Sequence, residues 1–182
     1  MVRSATHLCA ARDASLVRFD GELVHLAATS AVESERLAAL QRHFPTPPGR
    51  TRALCRAIVD GAVIHIADVA RDPEYPQDHA RAVGLASILV VPMLRESTPI
   101  GALGVSRSVP EPFSHNQITL LETFADQAVI AIENVRLLTD LQARTQELTR
   151  SVDQLTALGE VGRAMSSTLG LEGVGALAMA PA

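Results

Sequence analysis

The sequence contains no lysine and no tryptophan, and these absences remove several classes of function. All 16 basic residues are arginines, which excludes reactions through a lysine Schiff base, a P-loop lysine or a lysine general base. Tyr75 is the only tyrosine, so an aromatic platform for stacking bases or sugars is not expected. The formal net charge of -4 gives no basic field for a nucleic-acid backbone. We therefore expect no nucleic-acid partner.

Cysteine is scarce, and long apolar runs are missing. Cys9 and Cys55 form neither a close pair nor a metal-ligand spacing, which predicts free thiols in a reducing cytoplasm. The histidines are scattered without HxxxH or CxxC partners, so no metal site is predicted. The run from Ile88 to Leu94 is far shorter than the roughly 20 residues of a membrane span, and no signal peptide opens the sequence. These features predict a cytoplasmic location.

The order of apolar patterns and turn signals predicts an α+β domain. Asp20-Gly21 predicts a tight two-residue hairpin with Val17 opposite Val24. In chain order, the predicted elements are a helix at 2–11, strands at 14–19 and 22–28, helices at 34–44 and 52–60, a strand at 62–69, a helix at 77–83, strands at 86–94 and 99–107, and a long helix from Ser114. The last two strands are too close for a crossover helix and must pair antiparallel. We predict an antiparallel sheet of five or six strands sandwiched by helices.

The long C-terminal helix begins at a clear signal. Ser114 and Gln117 form a capping box. Apolar residues then recur at steps of three and four, and the pattern becomes a coiled coil with Leu at d and Leu, Thr145 or Val at a, which favours two parallel strands. We therefore predict a homodimer through this helix. Its predicted interface residues are Leu121, Ala128, Ile132, Val135, Leu138, Leu141, Leu148, Val152 and Leu155.

Four blocks, in this order, carry a resemblance to a known family. They are Val63 to Tyr75, Ser87 to Met93, Pro99 to Val105 and Phe124 to Asn134. Together they resemble a GAF domain, which implies a GAF/PAS-like fold. We assign residues 1–137 to this domain, with its first helix truncated, 138–169 to a coiled-coil signalling helix and 170–182 to a flexible tail.

The resemblance also implies a role and partners. GAF domains of this kind occur in bacterial sensor histidine kinases, so a sensory module of a two-component system that passes a signal through the C-terminal helix is expected. The stretch from Leu148 to Leu171 is similar to the linker that precedes a further GAF domain. The expected downstream kinase or second GAF domain is missing from this sequence. The sequence therefore resembles a fragment or a truncated paralogue.

The resemblance implies a binding pocket but does not identify its ligand. The resemblance implies a pocket beside the crossing between residues 68 and 87, with the polar candidates Asp68, Arg71, His79, Arg81 and Ser87. The Asn-Lys signature of cyclic-nucleotide GAF domains and the Cys-His pair of covalent bilin attachment are both absent.

Two other functions remain as alternatives to sensing. One is a dimerisation module without a ligand. The other is a thiol-based free methionine sulfoxide reductase acting through Cys55, for which we instead predict a structural role because no second thiol is nearby in sequence. Gly101 and Gly104 lie inside an apolar strand and predict close backbone packing rather than a phosphate loop. We therefore predict no catalytic residues and no enzyme activity.

Overall fold

The structure, a computed structural model, describes residues 2–31 and 34–175. It divides into one unit of residues 1–132 and a second of residues 133–182. The elements are α1 (Val2–Leu8), β1 (Asp13–Phe19), β2 (Val24–Thr29), α2 (Ser34–His43), α3 (Ala53–Asp60), β3 (Ile64–Ile66), a 3-10 turn (Val69–Arg71), α4 (Gln77–Ala82), β4 (Ser87–Arg95), β5 (Thr98–Arg107) and α5 (His115–Gly175).

One antiparallel sheet of five strands forms the centre of the first unit. The strand order is β2-β1-β5-β4-β3, and every neighbouring pair is antiparallel. β4 is buried from Ser87 to Met93, which explains its continuous apolar sequence, because a strand covered on both faces needs no alternation. The predicted α+β class with an antiparallel sheet is confirmed.

The β1–β2 hairpin is present, but its predicted register is wrong. Val24 lies opposite Phe19, and Val17 lies opposite Leu26. The loop has four residues rather than two. The longer loop is caused by Asp20, whose carboxylate accepts hydrogen bonds from the backbone N–H groups of residues 22 and 23 at 3.0 and 2.8 Å. This Asx-type turn replaces the predicted two-residue turn.

The predicted strand at 62–69 is shorter than expected. Only Ile64–Ile66 pairs with β4. Asp68 accepts a hydrogen bond from the N–H of Ala70 and thereby caps the 3-10 turn that follows. The local polar side chain competes with the sheet for the backbone, so the chain leaves the ladder early.

The sheet separates two apolar cores. The helix-side core lies against α1 and the beginning of α5; among its largest members are Leu89, Met93, Leu103 and Leu121. The cavity-side core lies against α3; its members include Val17, Leu54, Ile58, Val69 and Val90. Gly101 confirms the predicted close packing, because a Cβ there would collide with the carbonyl oxygen of Val17 and with Met93.

The capping box at the start of α5 is confirmed. Ser114 Oγ accepts the N–H of Gln117 at 3.3 Å, and Gln117 Oε1 accepts the N–H of Ser114 at 2.9 Å. α5 then continues to Gly175, and the rest of the predicted tail, 176–182, lies outside the described residues. Among the described residues, no helix combines the length and the apolar character that crossing a bilayer requires.

The residues predicted as the dimer interface fall into three groups. Leu121 and Ala128 are buried in the helix-side core of their own chain, and Ile132 packs partly against it. Val135, Leu138, Leu141 and Leu148 are exposed in the second unit, at 60 to 67%. The side chains of Val152 and Leu155 lie outside the described residues. The exposed group is the part available to another chain.

Candidate ligand-binding site

A cavity of about 80 Å³ lies in the first unit and is lined by residues of β1, β4 and β5 and of the segments that carry α2, α3 and α4. Its larger apolar lining residues are Leu40, Phe44, Leu54, Val83, Leu85, Ile88 and Val105. Polar residues also line it in two groups: Asp13, Ser15 and Ser106 from the sheet, and His43, Arg52, Tyr75 and His79 from the other elements. An apolar cavity with a few polar groups is the usual form of a small-molecule site.

The lining residues outside the sheet form what we call the non-sheet wall of the cavity. Three side chains on this wall form a directed chain of hydrogen bonds. The Nη2 of Arg52 lies 2.8 Å from Nδ1 of His43, and Nε2 of His43 lies 3.1 Å from Nδ1 of His79. Arginine can only donate, so Nδ1 of His43 must be an unprotonated acceptor. Neutral His43 then carries its proton on Nε2 and donates to His79. Neutral His79 in turn carries its proton on Nε2, which leaves this nitrogen as a donor.

Both histidines are neutral at neutral pH. Burial, followed by the charges of His43 and Arg52, lowers the pKa of His79 to about 4. Burial, followed by the charges of Arg52 and Arg42, also lowers the pKa of His43. Burial raises the pKa of the Tyr75 phenol to about 12, so its hydroxyl keeps its proton. The wall therefore offers hydrogen-bond donors and one permanent positive charge.

A buried ion pair fixes the segment that carries Tyr75. Arg56, only 7% exposed, donates from Nη1 and Nη2 to the two carboxylate oxygens of Asp72 at 2.9 and 3.2 Å. Asp72 also accepts the N–H of Glu74 at 2.9 Å. The side-chain amide of Gln77 donates to the carbonyls of Val69 and Tyr75. These bonds connect α3 to the start of α4 and so position Tyr75 and His79 at the cavity.

The five residues predicted as pocket ligands do not come together. His79 lines the cavity, and the other four do not. Asp68 caps the 3-10 turn and pairs with the exposed Arg71 at 3.1 Å. Arg81 pairs with Asp78 on the surface, and Ser87 is buried and donates to a backbone carbonyl. Ligand binding by these residues stays a prediction, and His79 is the member with a cavity position.

Sequence reasoning missed six polar lining residues. Asp13, Ser15 and Ser106 occupy alternate strand positions that face the cavity, and polar residues at such positions in strands with buried neighbours were an available signal. His43, Arg52 and Tyr75 gave none, because they are far apart in sequence and meet only after folding.

The thiols and the remaining histidines occupy other environments. Cys9 and Cys55 are both free and buried, and burial raises the pKa of each thiol. His65 accepts the N–H of Phe113 at 2.9 Å through Nε2 and so holds the approach to α5. In the described part of the chain, no cluster of three or more His, Cys, Asp or Glu side chains could hold a metal ion.

Arg107 joins the cavity wall to the start of α5. It follows Ser106, a lining residue, and its side chain is on the opposite face of the sheet. Its Nη2 donates to the carbonyl of Cys9 at 3.0 Å and to Oε1 of Gln117 at 3.2 Å. Its guanidinium lies 4.1 Å from the ring centroid of Phe113. One strand thus carries both a cavity residue and the side chain that holds the helix start.

Comparison with known proteins defines the class. A sequence profile described as the GAF domain matches residues 1–133. The chain belongs to the GAF domain family, whose members are in general regulatory modules. A search of curated proteins finds no significant match.

Solved structures with the same fold come from proteins of several functions. The GAF domain of a phosphoenolpyruvate-protein phosphotransferase from Acinetobacter is 15% identical, with a TM-score of 0.64 over 77% of this chain and 82% of that one. A domain assigned to a two-component sensor histidine kinase of Sinorhizobium meliloti 1021 is 17% identical, with a TM-score of 0.61 over 78% and 92%. A type II free methionine-R-sulfoxide reductase of Thermoplasma acidophilum is 16% identical, with a TM-score of 0.58 over 74% and 90%. At these identities the likeness establishes the fold alone.

Proposed function

We propose that this GAF domain is the sensory module of a bacterial two-component signalling protein and that a small molecule bound in the cavity is its signal. The observation that carries the proposal is the neighbouring position of Ser106 and Arg107 on β5. Ser106 lines the cavity, and Arg107 is bonded to the residues that start α5. A change in the cavity therefore has a short path to the helix, through one peptide bond and the hydrogen bond from Arg107 to Gln117.

The proposed transmission is a shift of β5. An occupant in contact with Ser106 would move this strand, and Arg107 would move its bonds to Cys9 and Gln117 with it. Because β5 pairs with both β1 and β4, a small displacement is shared by the sheet. The occupant biases the equilibrium only as far as it binds the two arrangements with different affinity.

We further propose a cytoplasmic homodimer as the signalling state. The exposed residues Val135, Leu138, Leu141 and Leu148 of α5 would meet the same residues of a second copy. A change at the start of α5 would alter the packing of this coil and so regulate a kinase domain or a second GAF domain. The proposed role is regulatory and involves no catalysis by this domain.

Two alternatives remain testable. A ligandless dimerisation module would keep the dimer and lose nothing when the cavity is filled. A thiol-based reductase needs a reactive thiolate, and the raised pKa of buried Cys55 is unfavourable for one. Fast alkylation of Cys55 in the folded protein, with methionine sulfoxide turnover that Cys55→Ser removes, would establish the reductase and refute the sensory role.

The main experiment fills the cavity. Ala53 is buried and lines the cavity at the first turn of α3, so Ala53→Leu places three further carbon atoms there. Ala38→Leu makes the same change at an exposed position of α2 and is the control. Native mass spectrometry of protein purified from its own host should detect a bound small molecule in the wild type and in the control. Ala53→Leu should lack it.

The opposite result is equally clear. A wild-type protein without a bound molecule, together with an Ala53→Leu variant of unchanged or higher stability and unchanged dimerisation, would refute the sensory proposal. That result would favour the ligandless module, because filling an unused cavity adds apolar contacts without removing any.

A further inference from the structure

The non-sheet wall of the cavity presents donors without acceptors. Arg52 donates to His43, and within the described residues it has no carboxylate partner. Tyr75 is only 7% exposed and lines the cavity, and its hydroxyl has no hydrogen-bond partner among the described residues. His79 offers Nε2–H at the end of the chain of bonds from Arg52. Both groups therefore have donor capacity that no protein acceptor in the described residues uses, and an occupant with acceptor oxygens would complete this wall.

The start of α3 adds to the positive electrostatic potential of the non-sheet wall. Arg52 is its N-cap and supplies no side-chain acceptor, and the next two residues, Ala53 and Leu54, also line the cavity. The N–H groups of a first helical turn have no partners inside the helix and favour an anion. Beside the larger effect of burial, the charge of Arg52 acts to lower the pKa of His43, His79, Tyr75 and Cys55, because it favours the form with less positive or more negative charge.

The one acid in the lining lies on the sheet, across the cavity wall from Arg52. Asp13 belongs to the sheet wall, and its Oδ2 lies 3.9 Å from Nε of Arg12. The non-sheet wall therefore carries one positive charge, that of Arg52, which forms no ion pair with a carboxylate in the described part of the chain. A permanent cation in a partly buried, apolar site favours an anionic occupant.

The size and the apolar residues restrict the rest of the molecule. A water needs about 10–15 Å³ of such volume, so the cavity of about 80 Å³ has room for roughly five to eight non-hydrogen atoms. Leu40, Phe44, Leu54, Val83 and Ile88 offer hydrocarbon contacts for most of them. Nucleotides are larger than this space, and a phosphate group is more polar than its mainly apolar lining.

We propose that the ligand is a small monocarboxylic acid with an apolar body, whose carboxylate is bound by Arg52, Tyr75 and His79 and whose hydrocarbon part lies against the apolar lining. This inference rests on the proposed sensory function, because it names the chemical class of its signal. Arg52 supplies the charge, and the hydroxyl of Tyr75 supplies a neutral donor that stays protonated.

Three probes of the same shape test the class. Butanoate, butanamide and butylammonium differ in charge and little in size, and calorimetric titration of the purified chain measures their affinities. We expect butanoate to bind at millimolar concentration or tighter and about tenfold or more tighter than butanamide, since hydrogen bonds to a charged group are the stronger ones. Butylammonium should not bind. Equal or tighter binding of butanamide would overturn the carboxylate assignment.

Variants locate the carboxylate. Arg52→Gln should remove the preference for butanoate over butanamide. Tyr75→Phe keeps the ring, tests the wall even if Arg52→Gln does not fold, and should weaken butanoate by about tenfold while leaving butanamide nearly unchanged. Arg81→Gln, at an exposed arginine outside the cavity, should bind as the wild type does. Unchanged butanoate affinity in the Tyr75→Phe variant would overturn the proposed contacts.

Nitrogen NMR of the imidazoles tests the donor chain without any ligand. His43 and His79 should both carry their proton on Nε2, and a His79 protonated on Nδ1 would overturn the inference. The outcomes also separate the two proposals. If none of the probes binds but host-purified protein carries another molecule, the carboxylate inference fails and the sensory function stands. If neither the probes nor a host molecule bind, both fail.

Discussion

The two faces of the sheet differ in what they are built for, although neighbouring residues of the same strands supply both. On β5, Leu103 is fully buried in the helix-side core, whereas Ser106 lines the cavity. On β1, Ala14 belongs to the helix-side core, whereas Asp13 and Ser15 line the cavity. The two-residue period of a strand thus separates a face that is packed throughout from a face that shares its apolar core with a cavity. Substitutions of lining residues on the cavity side should affect ligand binding, whereas substitutions on the helix-side face should affect stability alone.

The largest expected effect is on the helix-side face. Leu103→Ala should lower the free energy of unfolding by about 3 to 4 kcal/mol, because it removes fully buried methyl groups and leaves a space in a packed core. Urea unfolding followed by circular dichroism measures this. Leu94→Ala, at a partly exposed position of β4, is the control and should cost less than about 1 kcal/mol. Equal losses would contradict the difference between core and surface.

The buried ion pair on the cavity side should come next. Arg56→Gln leaves the carboxylate of Asp72 without its bidentate partner and should cost about 3 kcal/mol. Arg81→Gln breaks an exposed pair and should change unfolding little. If both variants melt like the wild type, the ion pair does not hold the cavity wall.

The hydrogen bonds of Arg56 also lower the pKa of Asp72. A carboxylate with a lowered folded-state pKa stabilises the protein above its unfolded value, near pH 4, and this contribution disappears as the pH falls further. The difference in stability between wild type and Arg56→Gln should therefore shrink below about pH 4. Parallel urea titrations at several acidic pH values would reveal a constant difference if the pair were not the cause.

A smaller effect is the pH dependence of stability that His79 causes on the cavity side. Folded His79 stays neutral down to about pH 4, whereas the unfolded chain takes up the proton near its ordinary pKa of 6.5. Stability is therefore present above pH 6.5 and falls as the pH drops towards 4, by about 1 kcal/mol between pH 7 and pH 5 after allowance for partial exposure. His79→Gln should flatten this slope, while His115→Gln at an exposed position should not. An unaltered slope in His79→Gln would exclude this group as the cause.

The last effect, of similar size, concerns the second unit, where apolar residues of α5 are exposed. In the proposed dimer, Thr145 occupies an a position, and its hydroxyl donates to the carbonyl of Leu141 at 2.8 Å. Thr145→Ile should stabilise the dimer by roughly 1 kcal/mol. Thr149→Ile, the same change at a flanking position, should have no comparable effect. Analytical ultracentrifugation measures the dimer dissociation constant of each variant. Equal constants for these variants, the wild type and Leu148→Ala would show that α5 does not form the dimer interface.

The sequence predicted the features that local chemistry decides. Ser114 and Gln117 identified the start of α5, because a capping box needs only residues three apart. The cavity depends instead on His43, Arg52 and His79, which meet through the packing of α2, α3 and α4. The candidate Asp68 lies in the crossing segment that was predicted to border the pocket, but its side chain caps a local turn. Tyr75, from the same segment, lines the cavity instead. Such choices follow from three-dimensional packing and leave no local pattern.

The long helix gives a second example. A repeat of three and four residues describes a helix against a sheet as well as a helix against its copy. Leu121 and Ala128 follow the same stripe as Leu141 and Leu148, yet the first pair is buried in its own domain and the second is exposed. The periodicity predicts that a face is apolar and does not identify what covers it.

The two cysteines make the protein its own reporter of local opening. Cys9 belongs to the helix-side core and Cys55 to the cavity-side core, and both are buried. A thiol reagent can react with each only when its own face opens, so the two labelling rates under native conditions measure the opening of the two faces separately. A molecule bound in the cavity should slow Cys55 first. Any accompanying change at Cys9 would be a direct measure of how far the binding event reaches across the sheet.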